Sequence, residues 1–269
     1  IDKNVYAREN GLAIEALAML YEASGNPLYL ARAERAARAM IESHQRQSGG
    51  FAHSSTEVEA DYLGDSLFMA AALLQLHKVS GDQYWLSQAE RCARFIVDNF
   101  SAEGAGYLSG RATPGLPVQP VRHLDENIKA TRALNLIAQY LGDEKLREAA
   151  EHGMRYLATS SVAYSRIEDS GILIAATEMA MSAPHFTIVG GKSDKAADNL
   201  FAIGRAQAGW YKRLEWWDKS EGLLKNSDVT YPSFDRAAGF VCVDRLCSAP
   251  AFTTEQYSKM IKRLMQTTE

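Results

Sequence analysis

The stretch SLFMAAALLQLHKVSGDQYWLSQAERCARFIV, residues 66–97, contains two helical patterns joined by Gly81-Asp82. A glycine suits the left-handed residue that ends a helix, and an Asp or Asn after it can cap the next helix. The stretch is therefore predicted to be an antiparallel hairpin of two helices with a very short loop. The same pattern recurs in residues 12–41, with the turn Gly25-Asn26, and in residues 128–157, with the turn Gly142-Asp143.

The two helices of each hairpin differ in how their apolar residues are distributed. The first helix, as in SLFMAAALLQL, is apolar or small nearly all round, so most of its surface must be buried. The second helix, as in YWLSQAERCARFIV, has one apolar stripe and a polar side that faces water. Buried inner helices backed by amphipathic outer helices predict an all-α-dominated fold, an α/α toroid of hairpins.

The last part of the chain departs from the repeat. Residues 184–269 include PHFTIVGG and FVCVDRLC, which are predicted to be two short strands that pair in a small sheet beside the toroid. The start at Ile1, directly before a helical pattern, is what we expect for a fragment of a longer protein. The chain is predicted to be a single domain, with hairpins at about 11–43, 65–99, 126–158 and 169–205.

The loops between hairpins deliver polar groups to the start of each inner helix. If the inner helices run parallel, these groups converge at one end of the toroid, where loops of such scaffolds usually carry function. Helix capping is the simpler interpretation of HLDEN at 123–127, because acids and amides are favoured at a helix N-terminus. The groups expected to converge are Asn10, Tyr62, Asp65, Asp125, Glu126, Asn127 and Asp169, with His53 and His123 in the same loops.

Asp65 and Glu126 are the predicted catalytic pair. Two carboxylates that face one cavity are the minimum requirement of glycoside hydrolysis, with one as the acid and the other as a base or nucleophile. His53 or His123 is the alternative general base, for proton abstraction at a sugar carbon by an epimerase. A loop histidine without a catalytic role is the simpler interpretation of both. The residues predicted to bind the substrate are Asn10, His53, Tyr62, His123, Asp125, Asn127 and Asp169.

Aromatic side chains could provide flat surfaces on which sugar rings stack. Tyr62, in a loop before an inner helix, is the preferred candidate. Core packing is the commoner fate of aromatic residues at helical spacing. The other candidates are Phe51, Tyr107, Trp210, Trp216 and Trp217.

Several classes of function are disfavoured by composition and motifs. A net charge of −4 provides no electrostatic footprint for nucleic acid, and no apolar run is long enough for a membrane partner. GGKS at 190–193 lacks the earlier glycine of a phosphate-binding loop, since Phe186 stands there. No cofactor or metal is predicted, because H-E-x-x-H and zinc-site spacings are missing from the sequence. We expect a cytoplasmic protein in which Cys242 and Cys247 are reduced thiols.

Four segments resemble the C-terminal helical region of the YyaL family, whose members carry a thioredoxin-like domain and include the spermatogenesis-associated homologue. These segments are DKNVYARENGLAIEALA, ADYLGDSLFMAAALLQLHKVSGD, the strand P-x-F-T-I-V-G and the ending CVDRLCSAP. The ending matches the family's two cysteines four residues apart followed by Ser-x-Pro. The resemblance implies a toroid similar to six-hairpin glycosidases and N-acylglucosamine 2-epimerases. With about four readable hairpins, such a ring would be incomplete or irregular.

These observations predict a carbohydrate-active-enzyme-like domain, a glycoside hydrolase or sugar epimerase with paired carboxylates at the loop end of the barrel and a sugar as its ligand. The alternative is a non-catalytic helical scaffold or protein-interaction domain. In that case a thioredoxin-like domain of the same parent protein would perform the chemistry. A third interpretation is a truncated ring that a second copy closes.

Overall fold

The computed structural model describes residues 3–56, 61–111, 119–166, 170–207, 209, 211–226, 229–232, 234–244 and 246–266. The helices within these residues are α1 (Ala7–Ser24), α2 (Pro27–His44), α3 (Leu63–Ser80), α4 (Gln83–Phe100), α5 (Leu124–Leu141), α6 (Glu144–Leu157), α7 (Ser160–Ala163), α8 (Gly171–Ala180), α9 (Lys195–Arg205) and α10 (Thr254–Gln266). The strands are β1 (His185–Val189), β2 (Arg213–Trp217), β3 (Ala238–Val243) and β4 (Leu246–Cys247).

The first three hairpins form as the sequence pattern predicts. Helices α1, α3 and α5 each end at a glycine in the left-handed region, with φ of 69° at Gly25, 70° at Gly81 and 63° at Gly142. The next residue caps the following helix, since the side chains of Asn26, Asp82 and Asp143 accept hydrogen bonds from backbone N–H groups of α2, α4 and α6. Turn chemistry therefore sets the hairpin boundaries.

The inner helices α1, α3, α5 and α8 form an arc, in which each packs on the next, and α2, α4 and α6 lie behind their partners. Helices α1 and α3 run parallel and very close together. The missing side chain at Gly11 permits this approach, since a Cβ there would lie only 2.7 Å from the backbone of Phe68. Helix α3, in the middle of the arc, is buried nearly all round. The mostly helical architecture is an α/α toroid arrangement with a small sheet near the C-terminus, as predicted.

Helices α1 and α8 are less buried than their apolar composition predicts. Leu12, Met19 and Leu20 on α1 are between 43% and 50% exposed, and Leu173 on α8 is 71% exposed. These helices stand at the two ends of the arc, so in the described chain each has an inner neighbour on one side only.

The predicted fourth hairpin, 169–205, has a different structure from the other three. Strand β1 lies between α8 and α9, and α9 packs on the sheet with α10. The sheet has the order β2-β1-β3-β4, in which β1 and β2 are parallel and the other pairs antiparallel. The strand predicted in PHFTIVGG is β1, which is buried on both faces, so α8 is followed by a strand and not by the outer helix of a fourth hairpin.

Glu22 joins the helical arc to the sheet. Its carboxylate lies 3.3 Å from Nζ of Lys78 and 3.0 Å from Nζ of Lys212, and Nε2 of Gln75 donates to it at 2.6 Å. The side chains of Lys78 and Lys212 are 5% and 3% exposed. A carboxylate shared by two buried ammonium groups fixes the position of the C-terminal unit against the arc.

The two C-terminal cysteines differ from the sequence expectation. Cys242 and Cys247 form a disulfide between β3 and β4, whereas reduced thiols were expected. The register explains the pairing, because these residues lie directly opposite each other across the two strands. Spacing in the sequence alone does not reveal this register. Among the described residues, no helix is long and apolar enough to cross a membrane.

Candidate functional site

The first turns of α1, α3 and α5 meet at one end of the arc, which we call the mouth. Asp65, in the first turn of α3, is 1% exposed, and its Oδ1 accepts a hydrogen bond of 3.1 Å from the backbone N–H of Arg8 in α1. Burial raises the pKa of Asp65, and His53 only partly opposes this effect. Glu126, in the first turn of α5, belongs to the same electrostatic cluster, since Asp65 is among the groups that raise its pKa.

His53 is held by Asp65. Its Nδ1 lies 3.0 Å from Oδ2 and 3.2 Å from Oδ1 of that carboxyl group. An ionised carboxylate only accepts hydrogen bonds, so an ionised Asp65 makes Nδ1 of His53 the donor and leaves Nε2 outside this contact. The His53 side chain is 28% exposed and lies between the rings of Tyr6 and Tyr62, with centroid distances of 4.8 Å and 5.1 Å.

Glu126 is a buried acid with an unused oxygen. It is 6% exposed, and its Oε2 has no hydrogen-bond partner among the described residues. Burial raises the pKa of Glu126, while His123 and Arg8 oppose the rise. Its Oε1 lies 3.8 Å from Nη1 of Arg8, and a Cβ on Gly64 would lie 3.0 Å from the same oxygen. The missing side chain at Gly64 thus makes the space in which this carboxyl group sits.

The two predicted asparagines bond to backbone. Nδ2 of Asn127 donates to the carbonyls of Tyr107 at 3.0 Å and His123 at 2.8 Å, and its Oδ1 accepts from the N–H of Tyr107 at 2.7 Å. Nδ2 of Asn10 donates to the carbonyl of Tyr6 at 2.8 Å. The structure therefore gives Asn127 a loop-fixing role and Asn10 a role in the first turn of α1.

The remaining predicted site residues are more peripheral. Asp125 is exposed and pairs with Arg166 at 2.8 Å, and His123 is exposed at the start of α5. Tyr62 is 47% exposed and contacts His53, so it offers a free ring surface at the mouth. Asp169 lies outside the described residues.

Most of the other aromatic candidates pack in the interior. Phe51 and Tyr107 are at most 1% exposed, and Trp216 is 7% exposed in the core beside the sheet. Trp217 packs near Tyr231 in a cluster on the other face of the sheet. Trp210 lies outside the described residues. Core packing, the alternative interpretation, therefore describes these side chains better than sugar stacking does.

Arg8 and Phe68 are mouth residues that the sequence analysis missed. The guanidinium of Arg8 lies 5.3 Å from the centroid of the Phe68 ring, and Nζ of Lys129 lies 5.2 Å from it. Arg8 also contacts both acids, through its backbone N–H to Asp65 and its side chain to Glu126. A signal was present, since Arg8 lies in the first turn of an inner helix in the same way as Asp65 and Glu126.

A cavity of about 700 Å³ lies within the arc, deeper than the mouth. All four inner helices line it, and residues 205–207, Gly209 and Tyr211 lie across its far end. Its charged side chains form pairs, such as Lys129 with Glu15 at 2.8 Å and Arg132 with Glu178 at 2.8 Å. Sequence reasoning missed this lining because the charges lie within helices that were judged by their apolar residues. Volumes of this size are typical of small-molecule sites.

The described residues contain no group of three or more His, Cys, Asp or Glu side chains that could hold a metal ion. The mouth brings together one imidazole held by a carboxyl group and one buried carboxyl group whose pKa is raised, and side chains of these two types can transfer protons.

No protein-family profile matches the sequence, and no curated protein matches it significantly. Solved structures match the fold. A family 76 α-mannanase of Bacteroides thetaiotaomicron is 16% identical with a TM-score of 0.52, covering 77% of this chain and 57% of that protein. A cellobiose 2-epimerase of Spirochaeta thermophila is 20% identical with a TM-score of 0.50, covering 58% of this chain and 43% of the enzyme.

A third similar structure is an inactive variant of an α-1,6-mannanase of Salegentibacter sp. in complex with α-1,6-mannotriose. It is 12% identical with a TM-score of 0.52, and the match covers 78% of this chain and 61% of that protein. The chain therefore spans about two fifths to three fifths of the length of these three proteins. At such low identity the likeness establishes the fold, which is the α/α toroid of six-hairpin glycosidases and sugar epimerases.

Proposed function

We propose that this domain binds a saccharide at the mouth and catalyses a proton transfer of the kind that interconverts sugar epimers or isomers. The observation that carries the proposal is the pairing of Asp65 with His53, which orients a partly exposed imidazole between two tyrosine rings. A carboxylate that fixes one ring nitrogen leaves the other as a directed base. Tyr62 offers the stacking surface for the sugar.

In the proposed reaction, His53 and Glu126 exchange protons with an open-chain sugar. Nε2 of His53 takes the proton from the carbon next to the carbonyl group, and the electron pair of that C–H bond forms the carbon–carbon double bond of an enediol. Protonated Glu126 donates its proton to the carbonyl oxygen, for which a raised pKa is suited. The Glu126 carboxylate then takes the proton of one enediol hydroxyl, a carbonyl group re-forms, and carbon takes the proton from His53, which gives the product and restores both groups.

Glycoside hydrolysis is the second candidate, favoured by the raised pKa values of Asp65 and Glu126. Glu126 would protonate the leaving oxygen and Asp65 would act as base or nucleophile. Both oxygens of Asp65 already contact His53, and its side chain is 1% exposed. We therefore rank the His53 reaction first.

We also propose, as the finer family assignment, that the chain is a YyaL-type helical region, on the strength of the C-x4-C-S-x-P ending. A scaffold role beside a thioredoxin-like domain of the parent protein is the non-catalytic alternative to the proposed reaction.

The test is proton exchange measured by NMR. The protein is incubated in D2O with reducing mono- and disaccharides, hexosamines and uronic acids, and deuterium at the carbon next to the carbonyl is followed. The proposal expects exchange with at least one sugar, lost more than about 100-fold in His53→Gln and Glu126→Gln. His123→Gln is the matched control and should retain exchange.

The other outcomes decide between the alternatives. Glycosidic bonds cleaved without deuterium incorporation would support hydrolysis instead. Loss of exchange in His123→Gln but not in His53→Gln would refute the assigned base. Absence of binding, exchange and cleavage across the panel would favour the scaffold.

A further inference from the structure

A row of four side chains crosses the sheet on one face. Arg213, His185, Cys242 and Cys247 are register partners from β2 through β1 and β3 to β4. Directly opposed residues of neighbouring strands point to the same face, with Cβ atoms about 5 Å apart. An imidazole is thus the cross-strand neighbour of one sulfur of the disulfide, and a guanidinium lies on the strand beyond it.

His185 is held on one side and unsatisfied on the other. Its Nε2 lies 2.5 Å from Oε2 of Glu215 and 2.9 Å from Oγ1 of Thr187. Its Nδ1 is buried without a hydrogen-bond partner among the described residues, and the residue is 4% exposed. A buried nitrogen without a hydrogen-bond partner is unusual in a folded protein and needs an explanation. A thiol or thiolate at Cys242 would be such a partner.

The two sulfurs differ in accessibility. Cys242 is 6% exposed within β3, whereas Cys247 is exposed on the two-residue edge strand β4. Other bonds hold this segment independently of the disulfide. Ser248 exchanges hydrogen bonds with the backbone of Val241, and Gly239 pairs with Ala251. The sheet can therefore keep its structure when the disulfide opens.

We propose that Cys242–Cys247 is a redox-active disulfide that exchanges with a dithiol reductant, with His185 stabilising the leaving Cys242 thiolate. A thiolate of the dithiol attacks Sγ of exposed Cys247, the Cys242–Cys247 bond breaks, and its electron pair leaves on Cys242. The second thiolate of the reductant then attacks the mixed disulfide and releases Cys247. The net result is a protein dithiol and an oxidised reductant, after transfer of two electrons and two protons.

The arrangement meets the physical requirements of a reactive pair. Thiolates are stabilised beside His and Arg side chains, and here His185 lies on the strand next to Cys242 while Arg213 lies one strand further away. Glu215 stays ionised, because His185 and Arg213 lower its pKa more than burial raises it. Nδ1 of His185, the ring nitrogen that Glu215 and Thr187 do not contact, is the atom that faces a thiol or thiolate at Cys242 in this proposal. This inference is independent of the chemistry at the mouth.

The first experiment measures reduction of the folded protein. Air-oxidised protein is treated with dithiothreitol at pH 7.5, while intact mass and circular dichroism are recorded. We expect a gain of two hydrogens per chain with the fold retained, reversed on removal of dithiothreitol. A chain that purifies without the disulfide, or one reduced only on unfolding, would overturn the proposal.

The direction of attack is tested with glutathione disulfide and two single variants. Cys242→Ser leaves Cys247 exposed, so a glutathione adduct is expected on Cys247. Cys247→Ser leaves only buried cysteines, and its adduct should form at least ten-fold more slowly. Equal rates would refute attack through Cys247.

The role of His185 is tested by thiolate absorbance at 240 nm in Cys247→Ser, with and without His185→Gln. Cys92 does not contribute thiolate absorbance below pH 9, because burial raises its pKa to about 12. We expect Cys242 to ionise below the ordinary thiol range near pH 8.5, and about ten-fold less readily in His185→Gln. His152→Gln, at a partly buried position on α6 and outside the sheet, serves as the matched control. A Cys242 thiol that stays protonated to pH 9 both with His185 and with His185→Gln would show a purely structural disulfide. If His185→Gln fails to fold, the reduction experiment decides the question.

Discussion

Oδ2 of Asp65 lies 3.0 Å from Nδ1 of His53, and Oδ1 of the same carboxyl group accepts from the backbone N–H of Arg8 at 3.1 Å. This one buried side chain connects the loop before α3 to the first turn of α1. The acid that the sequence suggested as a catalyst therefore also holds the mouth together, and substitutions must separate these two roles.

Asp65→Asn and His53→Gln should differ in their effects on stability. The amide at position 65 can still accept from Arg8, but it replaces the carboxylate that fixes the His53 tautomer. We expect Asp65→Asn to lose most of any proton-exchange activity. Its free energy of unfolding should stay within about 1 kcal/mol of that of the unmodified protein. His53→Gln, at a partly exposed position, should be similarly mild. Thermal unfolding with NMR exchange checks both, and full exchange in folded Asp65→Asn would contradict the assigned role.

Glu126→Gln should change how stability depends on pH. Burial raises the folded-state pKa of Glu126 above its ordinary value of 4.5, so the folded state binds this proton more tightly than the unfolded state. The group therefore destabilises the fold once pH exceeds the raised pKa, and this penalty disappears below the unfolded pKa. Glu126→Gln should be more stable than the unmodified protein at neutral pH, with the difference shrinking as pH falls towards 4.5. Urea unfolding between pH 4 and 8 measures this, and an opposite trend would show that Arg8 outweighs burial.

Gly64→Ala should displace Glu126. The new Cβ would lie 3.0 Å from Oε1 of Glu126 and 3.3 Å from Cδ of Arg8, and both neighbours are side chains that can shift slightly. We expect a small net change in stability, because a better helix former offsets the crowding, together with a marked loss of activity. Gly11→Ala is the contrasting variant, since its Cβ would lie 2.7 Å from the backbone of Phe68 and should prevent close packing of α1 on α3. Equal destabilisation of the two variants would contradict this distinction.

Glu22→Gln should destabilise the joint between arc and sheet. It removes the carboxylate shared by Lys78 and Lys212, and removal of one partner from a buried ion pair costs about 3 kcal/mol or more. Those lysines also hold the pKa of Glu22 below 4.5 despite its burial, so this stabilisation is present above that pH and is lost as pH falls through the lowered pKa. Chemical unfolding measures the loss. Glu144→Gln is the exposed control and should leave the free energy of unfolding nearly unchanged.

Asn127→Ala should loosen the loop that carries Tyr107. Two buried hydrogen bonds and one partly buried hydrogen bond disappear, and backbone groups of Tyr107 are left without partners. We expect a loss of about 2–4 kcal/mol, against less than about 1 kcal/mol for Asn10→Ala, which makes one bond to a nearby carbonyl. Thermal unfolding of both variants provides the comparison. If Asn127→Ala causes little destabilisation, the loop-fixing role is contradicted and the prediction that the Asn127 side chain binds substrate is favoured.

The hairpins could be predicted because their signals are local. Gly25, Gly81 and Gly142 end helices through backbone conformations that few other residues adopt, and the polar residue after each caps the next helix a few atoms away. The difference between inner and outer helices also follows from residues on the same helix. These features gave the hairpin boundaries and the toroid class without knowledge of any distant contact.

Tertiary structure decided the rest, because the deciding contacts join residues far apart in the chain. The link between Arg8 and Asp65, the shared carboxylate of Glu22 with Lys212, and the row from Arg213 to Cys247 depend on how helices and strands lie side by side. The composition of an inner helix cannot show whether its apolar side meets another helix. The apolar side of α1 is therefore partly exposed at the end of the arc, which the sequence did not predict. The sequence by itself determined which helices form and where they end. Packing determined which acids lie in one electrostatic cluster, which histidine Asp65 orients and which sulfur faces solvent. Burial and electrostatics act through space and not along the chain.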